Sequence, residues 1–197
     1  YYQTLVNYYT TTNIAYNEVY ALGLAEVKRI ELEMMQVLSA LHFKGSLQDF
    51  IGMLRTNPKF YAKTPDELLK EASFIAKKID GKLPQFFGKL PRLTYTVAPV
   101  PADLAPNYTA GRYSPGRGTR AGEYWVNTYN LPARPFYNLE ALSLHEAVPG
   151  HHLQMALSLE LENVPNFRRN LYVNAFGEGW ALYCEYLGTE MGFYKDP

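Results

Sequence analysis

From Leu24 to Leu41, apolar residues recur at three- and four-residue spacing: Leu24, Val27, Ile30, Met34, Val37, Leu38 and Leu41. That spacing draws the stripe of an amphipathic helix, with Lys28, Arg29, Glu31 and Glu33 on much of the remaining surface. Ser46 with Asp49 opens a short helix expected to end near Asn57-Pro58. Thr64-Pro65-Asp66-Glu67 combines an N-cap, a proline at the first helical position and an acidic third position. The helix it starts carries Leu68, Leu69, Ala72, Ile75, Ala76 and Ile79 on its expected buried side. The charge runs of this half read as solvated faces.

After Pro84 the pattern changes. Pro91, Pro99, Pro101, Pro106, Gly111, Pro115, Gly116 and Gly118 exclude long helices. Leu93–Val97 and Glu123–Thr128 read as extended, the second alternating Tyr124, Val126 and Thr128 with Trp125 and Asn127. The intervening loop carries Arg112, Arg117 and Arg120, any one of which could grip a substrate carboxylate. Helix is expected again over about 138–161, around 167–173, and over about 176–191. The expected fold is mainly α with a small β element. The 197 residues are expected to form a single lobe, with a helical part over 1–90 and extended segments plus further helices over 91–197.

Composition narrows the function. Nineteen Lys and Arg balance nineteen Asp and Glu, which removes the electrostatic case for a nucleic-acid partner or a polybasic membrane anchor. Hydrophobic residues at 47% suffice for a sizeable core, and no apolar run reaches the ~18 residues of a membrane span. The single cysteine, Cys184, excludes an internal disulfide and a cysteine-based metal site; it reads as a small core residue. The chain begins at Tyr1 rather than Met, so a processed protein or a portion of a longer one is expected.

Three of the four histidines fall within eight residues, in Leu144-His145-Glu146-Ala147-Val148-Pro149-Gly150-His151-His152-Leu153-Gln154. Zinc hydrolases of the H-E-x-x-H kind place two His ligands one helical turn apart, with the Glu after the first as general base. Here proline occupies position 149, where the second His would stand. On a straight helix His152 would lie ~10.5 Å along the axis from His145, too far to share an ion, and His151 would point away. Pro149 cannot donate to the carbonyl of His145, and Gly150 permits unusual backbone angles. A bulge at Pro149-Gly150 that absorbs two residues would make His151 the second ligand; His152 would require three. His151 is favoured and His152 stays open.

A third ligand follows in Phe176-Gly177-Glu178-Gly179-Trp180-Ala181-Leu182-Tyr183-Cys184-Glu185. Glu178, between two glycines in the first turn of a helix, completes a His145, His151, Glu178 set for one zinc ion per chain, with a position open to water. Glu185, two turns on, suits a hydrogen-bond acceptor for a ligand imidazole.

The two helical motifs, together with Tyr-Trp-Val-Asn-Thr at 124–128, resemble the bacterial domain-of-unknown-function family 885, and the resemblance runs over nearly the whole chain. That family is regarded as gluzincin-like, which implies a zincin-like α+β fold and zinc peptidase activity. Gluzincins place a Gly before the second ligand, as in Gly150-His151, which supports His151. The resemblance also implies a longer parent protein of which this chain is a C-terminal portion, a cell-envelope location (periplasmic or lipoprotein), and a strand before the metal helix that lines the cleft. That last point makes Tyr124 and Asn127 substrate-binding candidates, against the alternative of an interior strand packed by its own side chains.

The expected function is therefore a zinc-dependent hydrolase, a peptidase whose Glu146 acts as general base toward a metal-activated water. Two alternatives fit the same residues: a non-catalytic helical binding module with a structural metal, and a metal-dependent hydrolase of non-peptide amides or esters. A base beside a ligand favours the enzyme, because a structural site has no use for one. The partner is a peptide or other small acyl substrate.

Overall fold

The computed structural model describes residues 1–195, which fall into two compact units: 1–57 with 173–175, and 58–172 with 176–195.

The first unit holds helices α1 (Tyr2–Thr10), α2 (Tyr16–Ala40) and α3 (Leu47–Thr56). Ser46 caps α3 as its sequence predicts. Its hydroxyl accepts from the Asp49 amide at 3.2 Å, while the Asp49 carboxylate accepts from the Ser46 amide at 2.8 Å. The apolar stripe of α2 is helical as expected but is largely uncovered. Of its members Leu38 is buried, whereas Leu24, Val27, Ile30, Met34 and Leu41 are exposed.

The second unit begins at Pro58, and α4 (Pro65–Phe86) packs within it against the later elements. Thr64 caps α4 by accepting from the Glu67 amide at 3.2 Å, and the Glu67 carboxylate accepts from the Lys63 amide at 2.7 Å. The buried face of α4, Leu68, Ala72, Ile75, Ile79 and Leu83, joins one core with Tyr124, Val126, Leu139, Leu144, Leu153 and Leu187. Burying such side chains is worth roughly 1.5–3 kcal/mol each. Leu139 and Leu144 lie in helix α5 (Leu139–Glu146), Leu153 in α6 (His151–Leu159) and Leu187 in α8 (Asn174–Glu190), so the core fixes every helix that will supply the site. The short α7 (Asn166–Asn170) separates α6 from α8.

Three strands complete this unit: β1 (Tyr95–Pro99), β2 (Gly111–Ser114) and β3 (Gly122–Val126), in the order β1-β3-β2. β1 runs parallel to β3 with Tyr95 opposite Gly122, and β2 runs antiparallel to it with Tyr113 opposite Tyr124. The fold is thus mainly helical with a small mixed sheet. β3 is the central strand, so both its edges are taken and it cannot pair with a substrate backbone. Tyr124 is fully buried. The Asn127 amide, also fully buried, donates to the carbonyls of Ala105 (2.9 Å), Tyr108 (3.2 Å) and Thr109 (2.9 Å). The expectation that these two residues bind substrate is corrected: Tyr124 is a core residue of the interior strand, and Asn127, just past its end, is buried against the loop it holds. Cys184 is buried as expected, and burial pushes its thiol up to about 12.

Candidate metal centre

The helix expected over 138–161 is two helices. α5 ends at Glu146 and α6 starts at His151, so Pro149-Gly150 lie in a break and not in a bulge of one continuous helix. The Val148–Pro149 peptide is cis. Gly150 folds back against the end of α5 so closely that a Cβ there would overlap the carbonyl oxygens of Leu144 and His145; only glycine fits. The Trp180 indole N–H donates to the Pro149 carbonyl at 2.8 Å, which ties the break to α8. The Gln154 side chain donates to the Phe176 carbonyl at 3.1 Å, which ties α6 to the start of α8.

This doubling-back brings His145 and His151 together, with ring centroids 4.8 Å apart and planes at 86°. Glu178 joins them from α8. Its Oε2 lies 3.5 Å from Nε2 of His145 and 3.6 Å from Nε2 of His151. The three ligand atoms fall within 4.8 Å of one another, close enough to converge on one ion bound at about 2.0–2.2 Å from each. His145 presents Nε2 to the cluster because its Nδ1 is held by Oε1 of Glu185 at 2.7 Å, the place foreseen for Glu185. Nδ1 of His151 is buried with no hydrogen-bond partner among the described residues. Two imidazoles and a carboxylate, with one imidazole fixed in orientation by a second carboxylate, form a donor set suited to zinc.

Glu146 stands beside the cluster. Its Oε2 accepts from the backbone amide of Tyr113 at 2.7 Å, and burial raises its carboxyl above the usual range despite that bond. The hydrogen bond that His145 donates to Glu185 raises His145, whereas burial and the neighbouring His145 lower His151. Burial works to raise Glu178, but the Tyr172 hydroxyl and the two histidines outweigh it and leave the carboxyl lowered.

Two contributors were not legible in the sequence. One is Tyr172, whose hydroxyl donates to Oε1 of Glu178 at 2.6 Å and leaves Oε2 facing the histidines. Its ring fills the space that a side chain at position 177 would need, since a Cβ on Gly177 would overlap that ring. Gly177 was the available signal, and Gly179, its apparent twin, has open space around it. The other is the edge strand β2, hidden in what reads as a loop.

His152 is not part of the cluster. It is 2% exposed, its Nδ1 pairs with the Tyr113 hydroxyl at 2.8 Å, and its ring lies 4.8 Å from that of Tyr95. A hydrogen bond to the Leu93 backbone completes its contacts, and burial pushes it down to about 4. Of the loop arginines, Arg117 and Arg120 form a tight turn with reciprocal backbone bonds of 3.0 Å, and Arg120 donates to the Pro115 carbonyl at 2.9 Å. Arg112 lies in β2.

Comparison with known proteins gives a sequence family and a structural neighbour. A sequence family described as "Bacterial protein of unknown function (DUF885)" matches residues 1–197. A crystal structure described as "the putative lipoprotein from Colwellia psychrerythraea" superposes with a TM-score of 0.93 at 31% identity, over 99% of this chain and 34% of that one. The chain therefore spans about a third of that protein's length. No curated protein matches it.

Proposed function

The chain belongs to the bacterial family of unknown function DUF885, and for it we propose a zinc-dependent hydrolase of acyl bonds, a peptidase of gluzincin type. The observation that supports this reading is the convergence of His145, His151 and Glu178 within 4.8 Å of one another, with the carboxylate of Glu146 beside them.

A bound zinc ion would supply Lewis-acid polarisation of the scissile carbonyl and of the attacking water. The chain's own residues do the rest. Glu146 is held through Oε2, which leaves Oε1 to accept the proton of the attacking water. Burial brings its carboxyl nearer to neutral pH, where one group can take a proton and then pass it to the leaving nitrogen. Glu185 keeps the His145 lone pair on Nε2, and Tyr172 keeps Oε2 of Glu178 turned to the histidines. Among the described residues no helix is long and apolar enough to cross a membrane. The lipoprotein description of the structural neighbour supports a cell-envelope location.

Elemental analysis and peptide hydrolysis test the reading together. About one zinc per chain is expected in the wild type and none in the double variant His145→Ala, Glu178→Ala. Glu146→Gln should keep zinc while hydrolysis falls by a factor on the order of 10²–10⁴. Zinc retained by the double variant, or full activity in Glu146→Gln, would overturn it.

A further inference from the structure

We propose that Arg112 binds a carboxylate carried by the substrate, which makes the site selective for acyl substrates with an anionic group near the scissile bond. The inference rests on the hydrolase reading for what is cleaved, and on the following placement for what is recognised.

Arg112 immediately precedes Tyr113 in the edge strand β2, and it is the Tyr113 amide that holds Glu146 at 2.7 Å. The strand alternates: Gly111 and Tyr113 are buried, whereas Arg112 is exposed on the opposite face. β2 packs against α5, the helix that carries His145 and Glu146, and the peptide bond between Arg112 and Tyr113 supplies the amide that holds Glu146. Arg112 is thus an exposed residue on the strand that borders the cluster, whose Glu178 and Tyr172 are exposed as well.

The Arg112 side chain nevertheless makes no hydrogen bond or ion pair among the described residues. Arg92 and Arg120, in contrast, donate to the carbonyls of Gly118 and Pro115. The neighbouring carboxylates have other donors: Oε2 of Glu146 takes the Tyr113 amide and Oε1 of Glu178 the Tyr172 hydroxyl. The guanidinium fork is therefore free, and the ligand geometry it matches best is a planar carboxylate held through two parallel N–H bonds. That carboxylate can be the C-terminal group of a peptide or an acidic side chain.

Binding of six small peptides distinguishes these sources without relying on turnover. Mercaptoacetyl-dialanine as free acid, its carboxamide, and the carboxamide with glutamate in place of the first alanine are titrated into zinc-loaded protein. The N-acetyl forms of the same three are titrated into metal-free protein. In the wild type at least one of the two acidic peptides should bind on the order of 10-fold tighter than the neutral carboxamide, and which one does so identifies the source. Arg112→Ala should bring that ratio near one, and Arg112→Lys should restore only part of it, since an ammonium lacks the fork. A wild-type ratio near one for both acidic peptides, or a ratio that survives Arg112→Ala, would overturn the proposal. Failure of the hydrolase reading would show separately, as absence of zinc from the wild type. The N-acetyl peptides on metal-free protein would still report on Arg112.

Discussion

The amide of Tyr113 donates to Glu146 while the hydroxyl of the same Tyr113 bonds His152, at 2.7 and 2.8 Å. One residue of an edge strand thus joins the candidate base to the core. The two bonds separate by mutation, because only one involves a side chain. Tyr113→Phe should cost about 1 kcal/mol of stability in urea denaturation through the lost hydroxyl bond. It should leave hydrolysis within about threefold, because the amide remains. A collapse of activity at unchanged stability would mean that the hydroxyl itself serves the chemistry.

The adjacent histidines predict opposite phenotypes. His151→Ala should abolish stoichiometric zinc, whereas His152→Ala should retain it and lower the melting temperature, since His152 is a core residue. Elemental analysis with thermal denaturation on both variants decides between the two assignments.

Tyr172 predicts an effect on affinity. Tyr172→Phe removes the bond that orients Glu178 and should weaken zinc binding by roughly 10–100-fold, the usual cost of losing a group that fixes a ligand. Gly177→Ala should do the same by displacing the ring. Competition with a chelator measures both, and wild-type affinity in the two variants would remove Tyr172 from the site.

Glu185 gives zinc binding a pH dependence. It raises His145 above its ordinary value, so protons compete for Nε2 from a higher pH and zinc affinity falls as pH drops through that raised value. Glu185→Gln should weaken binding at pH 8 by roughly 10–100-fold through lost orientation. The gap should narrow toward pH 6, because the variant's His145 deprotonates more readily. A constant gap across that range would contradict the assignment.

His152 sets an acid limit on stability. Its folded-state value of about 4 lies below the ordinary 6.5, so between those values the unfolded chain binds the extra proton. Its stabilising contribution is complete above about pH 6.5 and is lost as pH falls toward 4, by up to roughly 3 kcal/mol. His152→Gln should be less stable at pH 7.5 yet lose less on acidification. Urea midpoints at pH 7.5, 6 and 4.5 measure the difference in slope.

Local rules read the sequence well where one signal dominates. The Thr64 cap and the apolar periodicity of α4 agree, and the buried face is the one expected. The cluster of His145, His151 and Glu178, with Glu146 beside it, was legible because these residue types have few reasons to come together. Where tertiary packing decides, the pattern misleads. The α2 stripe has helical period but little cover. The four residues of β2 begin at Gly111, stop before Pro115 and resemble a turn until β3 pairs with them. Tyr124 and Asn127 alternate as a half-exposed strand would, yet the core packs over Tyr124 and the 105–109 backbone holds Asn127 just past the strand's end. Tyr172 carries no pattern, because its role depends on the absence of a side chain five residues later.

The break between α5 and α6 gives the site a mechanical character. His145 and His151 are set by short-range folding around Gly150, whereas Glu178 arrives only after a 27-residue excursion from His151 that includes the short α7 and many exposed positions. An ion bound by all three would act as a clasp on that excursion, fixing its two ends without ordering its middle. The clasp would shrink the unfolded ensemble by closing the loop, and its strength would rise with free zinc by mass action. Exposure of residues 160–173 to a protease would then report the metal state of the protein from a segment that holds none of the ligands.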